Sequence, residues 1–446
     1  MHESAAPMRA AAAPITPAPI TAAPESGSGS APTTAHEPAR NTARRTLSSR
    51  ASFWVAAAVV VIALWASGAP SIIYPVYVAE WALTPIVITA IFAVYPITLV
   101  ITLIIFGGIS DYVGRRATLL AGVAAMAVGI LIFALAPDVS WLFVGRVFQG
   151  FGVGLAMAPA SAAMVEFSRG SGSGRANSIN TAATATGLAL ATIVGGALVQ
   201  YLPFPSRLAY WVLLVLTLAV FATVWFMPGH VAGTQPAGRW RPRGIAVPKG
   251  LGVVVATSAL AITAGFAMGA LLLSLGSQIA KQLIGTTDAF VAGTVIAVSA
   301  IAIGVSAILG RRISPTVSIG AGGVATAIGM GLIAVSAALA SLPVFILASV
   351  AAGIGYGLLF NGGLGLVNRH APNSHRAQTL SAVYLVAYLT QGLAAVAIGL
   401  TATTIGLAPA VDVWAPVIAG ICLLASALGI ASARSRRASL AAATLG

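Results

Sequence analysis

The sequence predicts an all-α integral membrane protein whose twelve transmembrane helices form two pseudo-symmetric six-helix halves. Three observations lead to this prediction. The chain of 446 residues is 58% hydrophobic and only 7% charged, whereas a soluble domain carries about 25% charged residues. Apolar runs of roughly 20 residues, the length needed to cross a bilayer, recur along the chain. Short matching segments also recur about two hundred residues apart, which indicates an internal duplication.

Residues 1–50 differ in composition from the rest of the chain. They are rich in Ala, Pro, Ser and Thr and contain few large apolar side chains, so they cannot bury enough surface to fold. We interpret them as a disordered cytoplasmic tail that ends in a cluster of arginines. Residues 433–446 are interpreted as a second cytoplasmic tail.

Twelve apolar segments lie between the tails. We predict membrane spans at 53–77, 86–107, 117–136, 140–165, 176–200, 209–227, 251–275, 288–309, 315–340, 343–367, 378–402 and 414–432. The segment 228–250 is rich in Pro, Gly and basic residues, which is typical of a loop. It is the predicted cytoplasmic linker between an N-terminal half, 51–227, and a C-terminal half, 251–432.

The basic residues test this number of spans. With twelve spans both termini lie on one side, and that side holds twenty of the 23 Lys and Arg residues. The other side holds Arg207 and Lys281, and Arg146 lies within a span. Because cytoplasmic loops carry an excess of Lys and Arg, we expect both termini in the cytoplasm. The scattered basic residues also argue against nucleic-acid binding, although the net charge is +14.

The two halves share three short segments at equivalent positions. The matched pairs are Gln149–Gly154 with Ala352–Gly357, Arg175–Ser178 with Arg376–Thr379, and Gly114–Arg116 with Gly310–Arg312. Many secondary transporters consist of duplicated halves around a central site. We therefore expect a secondary transporter of a small molecule, embedded in a lipid bilayer.

The loop between the second and third spans carries the most specific motif. It resembles the signature loop of the major facilitator superfamily, Gly-x-x-x-Asp-Arg/Lys-x-Gly-Arg-Arg/Lys. The matching residues are Gly107, Asp111, Gly114, Arg115 and Arg116, while Tyr112 replaces the usual basic residue. The resemblance implies this superfamily's fold and a gate in which Asp111 docks near Gln378 when the protein opens outward. Ala307 stands at the corresponding place in the second half, so the gate is expected to be asymmetric.

Arg146 belongs to a second motif. Placing an arginine within a span costs about 2.5–3.5 kcal/mol on insertion scales and usually marks a functional site. Arg146, Gln149 and Gly150 resemble the fourth-helix motif Arg-x-x-Gln-Gly of proton-coupled members, which implies a role in coupling. Snorkelling is the alternative, because Arg146 lies only about 9 Å from the end of its span.

Proton coupling also needs a titratable group that changes its environment. Glu80, Asp111 and Glu166 are the candidates for this group.

The fifth span leaves the direction of transport open. Drug/proton antiporters of this superfamily often carry Gly-Pro-x-x-Gly-Gly here, and this chain keeps Gly195 and Gly196 but not the Gly-Pro. Efflux by antiport is the first hypothesis. The alternative is an uptake permease or facilitator for a small organic nutrient, and a receptor or channel is a remote third.

Acidic side chains are missing from the middle of every predicted span. A lipophilic cation needs a compensating charge in a low-dielectric site, so a neutral or anionic organic compound is the expected substrate. Aromatic and amide side chains within the spans are the candidates for binding it. They are Trp65, Tyr74, Tyr95, Asn361, Tyr384, Tyr388 and Gln391. Each is equally well explained as an interhelical hydrogen bonder or an interface anchor.

The residues that an ATP-driven pump or an intramembrane enzyme would need are missing from the sequence. Neither Lys249 nor Lys281 lies in a nucleotide-binding Gly-x-x-x-x-Gly-Lys-Ser/Thr loop. The histidines lie in the tail or loops and Cys422 is alone, so we expect no enzyme activity, no metal site and no cofactor other than a proton gradient. A monomer in a bacterial inner membrane is the expected assembly and location.

Overall fold

The structure, a computed structural model, describes residues 46–168, 172–229, 250–372 and 375–445, without the side chains of 172–174, 377 and 432–445. Its helices are α1 (Ser49–Trp81), α2 (Pro85–Phe106), α3 (Ser110–Val113), α4 (Arg115–Leu135), α5 (Val139–Phe167), α6 (Gly172–Tyr201), α7 (Leu208–Trp225), α8 (Gly252–Gln282), α9 (Ala289–Leu309), α10 (Pro315–Ala338), α11 (Leu342–His370), α12 (Arg376–Ile405) and α13 (Leu407–Leu445). A 3₁₀ turn, Gly310–Arg312, follows α9. The predicted tail up to residue 45 and residues 230–249 of the linker lie outside the described residues.

Twelve helices in the described ranges are long and apolar enough to cross a membrane, which confirms the predicted fold class. The short α3 lies in the loop before α4. We call the face with Arg115 and Arg311 the basic face, and the opposite face, with Glu80 and Lys281, the far face.

Two helices differ most from their predicted spans. Helix α8 continues to Gln282, and α13 begins at Leu407 and continues through the predicted tail to Leu445. Hydropathy locates only the part of a helix that crosses the apolar core, because backbone hydrogen bonds extend beyond it. Pro409 does not prevent the earlier start of α13, since proline is tolerated in the first turn of a helix.

The helices of the two halves pack according to one plan. Helix α1 packs on α5, α6 and α7, and α8 packs on α11, α12 and α13. Helix α4 packs on α5 and α7, as α10 packs on α11 and α13. The halves meet where α6 packs on α9, α2 on α12 and α1 on α8. The equivalent contacts indicate that both halves arose from one six-helix unit.

Glycines allow α4 and α5 to approach closely. A Cβ atom added at Gly152 would lie 2.6 Å from the carbonyl oxygen of Gly122 and 2.7 Å from the backbone nitrogen of Met126. Backbone atoms of a packed helix cannot move aside as a flexible side chain can. Glycine at position 152 therefore sets the distance between the two helices.

We expect Gly152→Val to force α4 and α5 apart and to lower the melting temperature of the purified protein. Overpacking of this kind typically costs about 1–3 kcal/mol. Gly331→Val in α10 is the matched control, because no atom lies within 4 Å of its added Cβ. Equal melting temperatures of the two variants in detergent would contradict the proposed packing constraint.

Candidate functional site

The buried guanidinium of Arg146 connects α5 to α1. Its Nη1 donates to the carbonyl oxygen of Ser67 at 2.9 Å and to Gln149 Oε1 at 3.1 Å, and its Nη2 donates to Tyr74 Oη at 2.6 Å. Arg146 is 0% exposed, so its charged group does not snorkel to the far face in this conformation. Pro70 lacks an N–H and interrupts the hydrogen-bond ladder of α1 in this region.

Three aromatic rings surround the same guanidinium. Its carbon lies 5.7 Å from the ring centre of Tyr95, 5.9 Å from that of Phe133 and 6.0 Å from that of Tyr74. Cations are attracted to ring faces within about 6 Å, and the attraction strengthens in sites without water. The rings therefore replace part of the solvation that Arg146 loses on burial.

No carboxylate pairs with Arg146 among the described residues. Moreover, Arg146 Nε and Gln149 Nε2 are buried and have no hydrogen-bond acceptor. Arginine stays protonated in proteins, and charges act over longer distances in a low-dielectric medium than in water. The surroundings of Arg146 thus favour anions and electron-rich groups and disfavour other cations.

Of the remaining predicted coupling residues, Gly150 lies one helical turn from Arg146, whereas Glu80 and Glu166 lie apart from it. Gly150 allows α5 to pack on α2, because an added Cβ would lie 2.6 Å from the carbonyl oxygen of Tyr95. Glu80 is exposed on the far face, six residues and about 9 Å along α1 from Tyr74. Glu166 lies at the opposite end of α5 from Arg146, on the basic face.

The predicted gating loop forms an ion cluster on the basic face. Arg115 Nη1 lies 2.6 Å from Asp111 Oδ1, and its Nη2 lies 2.9 Å from Glu166 Oε1. Gly114 joins α3 to α4 with a φ of 92°, a conformation that strains residues with a Cβ. Arg116 lies over the ring of Trp225, 5.6 Å from its centre. The motif thus ties together the basic-face ends of α3, α4, α5 and α7.

The equivalent loop of the second half makes a different contact. Arg311 donates hydrogen bonds to Ser178 and, at 3.1 Å, to Thr181, both on α6 of the first half. The two loops therefore make different contacts in this conformation, and the asymmetry of the gate stays a prediction. Docking of Asp111 near Gln378 stays a prediction about another conformation.

Five aromatic side chains of the second half form a connected surface that we call the aromatic wall. Its members are Phe266 of α8, Tyr356 and Phe360 of α11, and Tyr384 and Tyr388 of α12. Neighbouring ring centres are 4.8–6.4 Å apart, which is the usual range for packed aromatic rings. Tyr388 also packs on a first-half core cluster that contains Tyr95, so the wall borders the junction of the halves.

The structure distributes the seven predicted substrate-binding residues over several places. Tyr384 and Tyr388 belong to the aromatic wall, Gln391 lies with Tyr356 beside Gly269, and Tyr95 joins the wall to Arg146. The other three are elsewhere: Tyr74 is engaged by Arg146, Trp65 is buried in the core, and Asn361 lies beside Gly310 towards the basic face.

Sequence reasoning missed Phe266, Tyr356 and Phe360. A comparison of the matched segments of the two halves could have found Tyr356 and Phe360. The equivalent first-half residues, Val153 and Met157, are not aromatic.

Direct hydrogen bonds join the two halves on the far face. Ser277 Oγ of α8 donates to the carbonyl oxygen of Ser71 in α1 at 2.7 Å. The backbone N–H of Ala289 donates to Gln200 Oε1, and that of Ile86 donates to Thr403 Oγ1, both at 2.9 Å. These contacts hold α1, α2 and α6 to α8, α12 and α9, and they close the far face in this conformation.

Two duplicated six-helix halves with a buried charge and an aromatic surface near their junction are an architecture typical of membrane transporters. A sequence profile of the Major Facilitator Superfamily matches residues 53–395. The chain therefore belongs to this superfamily and is a multi-pass membrane protein with a small-molecule substrate.

Solved transporter structures share the fold. The POT family transporter PepTSo superposes with a TM-score of 0.69 at 14% identity, over 87% of this chain and 98% of the other. The nucleoside transporter NupG gives a TM-score of 0.68 at 12% identity, over 85% and 99% of the two chains. A bacterial homologue of the human lysosomal transporter Spinster, in an inward-facing and occupied conformation, gives 0.66 at 14% identity, over 86% and 96%. Identities this low show the fold alone.

A curated relative matches a shorter stretch. Sugar transporter ERD6-like 6 of Arabidopsis thaliana is 27% identical over 89 residues, which are 20% of this chain and 18% of the relative. The match thus spans less than a fifth of that relative's length.

Proposed function

We propose that this chain is a proton-coupled exporter of small neutral or anionic organic compounds, drugs or metabolites, that works by alternating access. One observation supports the proposed charge of the substrate. The guanidinium of Arg146 is buried and has no carboxylate partner among the described residues. A cationic substrate near it would be repelled and would find no acid to compensate its charge. The acidic residues in the described ranges lie at or near helix ends.

The ion cluster around Arg115 supports the proposed coupling to protons. Asp111 and Glu166 share this one arginine, so Arg115 can release one carboxylate and still pair with the other. A carboxylate released in this way changes its environment during the cycle, as coupling requires. The proposed part of Arg146 in coupling is to connect α1 and α5. The far-face end of α1 carries Glu80, and the basic-face end of α5 carries Glu166.

The proposed direction of transport, export, rests on two motifs of the first half that resemble those of exporters. They are the loop Gly107–Arg116 and the group Arg146, Gln149 and Gly150. Uptake of a small organic nutrient is the second candidate, because Ala191 and Thr192 replace the Gly-Pro of antiporters. The glycine pair that remains has a packing role: an added Cβ at Gly195 would lie 2.8 Å from Ile72, and one at Gly196 would lie 2.7 Å from the Ala289 carbonyl.

We further propose that the protein is a monomer in a bacterial inner membrane and that both of its termini are cytoplasmic.

Proton movement in inverted membrane vesicles tests the proposal. We expect some neutral or anionic compounds of a mixed panel to release protons from energised vesicles, as reported by a pH-sensitive dye. Asp111→Asn should lower the initial rate about tenfold or more, which corresponds to ~1.4 kcal/mol. Asp412→Asn is the matched control, because Asp412 is exposed near the start of α13, and it should keep the rate.

Two results would contradict the proposal. Proton release by cationic compounds alone would exclude the proposed substrate charge. Concentrative uptake of a radiolabelled nutrient by whole cells, without proton release from vesicles by any compound, would favour the permease.

A further inference from the structure

The aromatic wall lies on the inner helices of the second half. Helix α8 packs on helices of both halves, and Tyr356 lies against Gly265 and Gly269 of this helix. Phe266 is buried, but Tyr356, Phe360, Tyr384 and Tyr388 are only half-buried. Tyr388 packs on the first-half cluster that contains Tyr95, so the wall adjoins the junction of the halves.

The first half carries no aromatic residues at the positions equivalent to four members of the wall. The matched segments give the first-half counterparts of four wall residues: Val153 for Tyr356, Met157 for Phe360, Ala183 for Tyr384 and Gly187 for Tyr388. Both halves nevertheless share one packing plan. The six-helix unit therefore packs without aromatic residues at these positions, and the wall has a role beyond helix packing.

The wall also presents unused hydrogen-bonding groups. Among the described residues, the hydroxyls of Tyr356, Tyr384 and Tyr388 make no side-chain or backbone hydrogen bond, and they are not among the buried unpaired atoms. Each can therefore donate to and accept from a ligand that reaches it. These hydroxyls beside half-buried rings suit a ligand that stacks on the rings and carries acceptors at its edge.

Arg146 adds a charge preference to this surface. Its guanidinium lies 5.7 Å from the ring centre of Tyr95, and Tyr388 of the wall packs on the cluster that contains Tyr95. The guanidinium is fully buried in this conformation, so a ligand on the wall would not touch it. Its field still acts across Tyr95, because the low dielectric of the interior weakens screening.

We propose that the aromatic wall binds the planar ring of a small aromatic acid, and that this class is the transported substrate. The ring stacks on the wall, the tyrosine hydroxyls donate to the ligand's oxygen atoms, and Arg146 favours the anionic form. The inference rests on the proposed function and narrows its substrate class.

Binding of a matched pair of ligands tests the inference. The probes are 2-naphthoate and decahydro-2-naphthoate. They have equal charge and similar size, but only 2-naphthoate has a flat π-surface. Isothermal titration to the full-length protein in nanodiscs should show that 2-naphthoate binds about tenfold more tightly, as expected for stacking on aromatic side chains. 2-Naphthylmethylamine, with the opposite charge, should bind more weakly than 2-naphthoate.

Two variants separate stacking from hydrogen bonding. Tyr384→Leu should remove most of the preference for 2-naphthoate over its saturated counterpart. Tyr384→Phe should keep that preference but lower the affinity for both ligands. Tyr201→Leu is the control, because Tyr201 is 64% exposed near the far face. Melting temperatures show whether each variant is folded, and Phe360→Leu replaces Tyr384→Leu if that variant unfolds.

Equal affinity for the two naphthoates, or no binding of 2-naphthoate, would overturn the inference. Neither result would affect the proposed function, because vesicles can still release protons with compounds that are not aromatic. Conversely, if 2-naphthoate binds as expected but no compound moves protons, the substrate class stands and proton coupling fails.

Discussion

Arg146→Ala is expected to reduce transport about a hundredfold or more, which corresponds to ~2.7 kcal/mol. The substitution leaves Gln149 Oε1 and Tyr74 Oη without this donor and removes the side-chain hydrogen bond to the Ser67 carbonyl. Each unpaired buried group costs about 1–3 kcal/mol, so the contact between α1 and α5 loosens where the transport cycle requires it to be rigid. The measurement is the initial transport rate per folded protein in proteoliposomes.

Arg146→Lys separates geometry from charge. A lysine retains the positive charge but is a point donor on a flexible chain, and it cannot reach the three acceptors that the planar guanidinium spans. We expect this variant to keep the preference for anions over cations and to lose most of the rate. Arg146→Ala should lose both, because no positive charge remains at the site.

Ser349→Ala provides the matched control for Arg146. Ser349 occupies the equivalent position in α11, it is buried, and its hydroxyl has no partner. Removing that hydroxyl should leave the rate unchanged or raise the melting temperature slightly. Full activity of Arg146→Ala would show that the guanidinium has no part in transport and would remove the main support for an anionic or neutral substrate.

The part of the site that lies within single helices was predictable from sequence. Arg146 and Gln149 are three positions apart and therefore share a helix face, and Gly107–Arg116 carries a recognisable loop pattern. The bond from Arg146 to Tyr74 joins residues 72 positions apart and depends on how α1 crosses α5. Hydropathy gives the number of helices but no crossing angle, so this partner could not be derived.

The aromatic wall as a whole could not be derived from the sequence, because its residues come from three separate helices. Tyr384 and Tyr388 are four positions apart on α12 and were predicted, whereas Phe266 comes from α8 and joins them only in the folded protein. Glu166 shows the same limitation. Its sequence position at the end of a span left its partner open, and the structure gives Arg115 as that partner.

A proline explains the far-face contact between α1 and α8. Pro75 has no N–H, so the carbonyl oxygen of Ser71, four residues earlier, has no donor within its own helix. Ser277 Oγ of the other half donates to this oxygen at 2.7 Å. Ser71 Oγ and Gln278 Nε2 are buried nearby without partners. The closed contact therefore contains polar groups that would gain water when the far face opens.

We expect Ser277→Ala to shift the protein towards conformations with an open far face. The variant leaves the Ser71 carbonyl unpaired only while α1 and α8 are in contact, because water reaches it once they separate. An unsatisfied buried group costs about 1–3 kcal/mol, so the ratio of open to closed protein should rise about tenfold. Spin labels at Leu135→Cys and Leu339→Cys, in a Cys422→Ala background, report this ratio as a distance distribution.

The label sites and the control follow from the structure. Leu135 and Leu339 are 56% and 65% exposed at the far-face ends of α4 and α10, one in each half and away from the contact. Ser274→Ala removes a buried hydroxyl one turn earlier on α8, but that hydroxyl donates to Ala270 of its own helix at 2.5 Å. It should leave the distance distribution unchanged. An equal shift in both serine variants would mean that loss of either hydroxyl loosens α8, and Ser277 would then have no particular part in closing the far face.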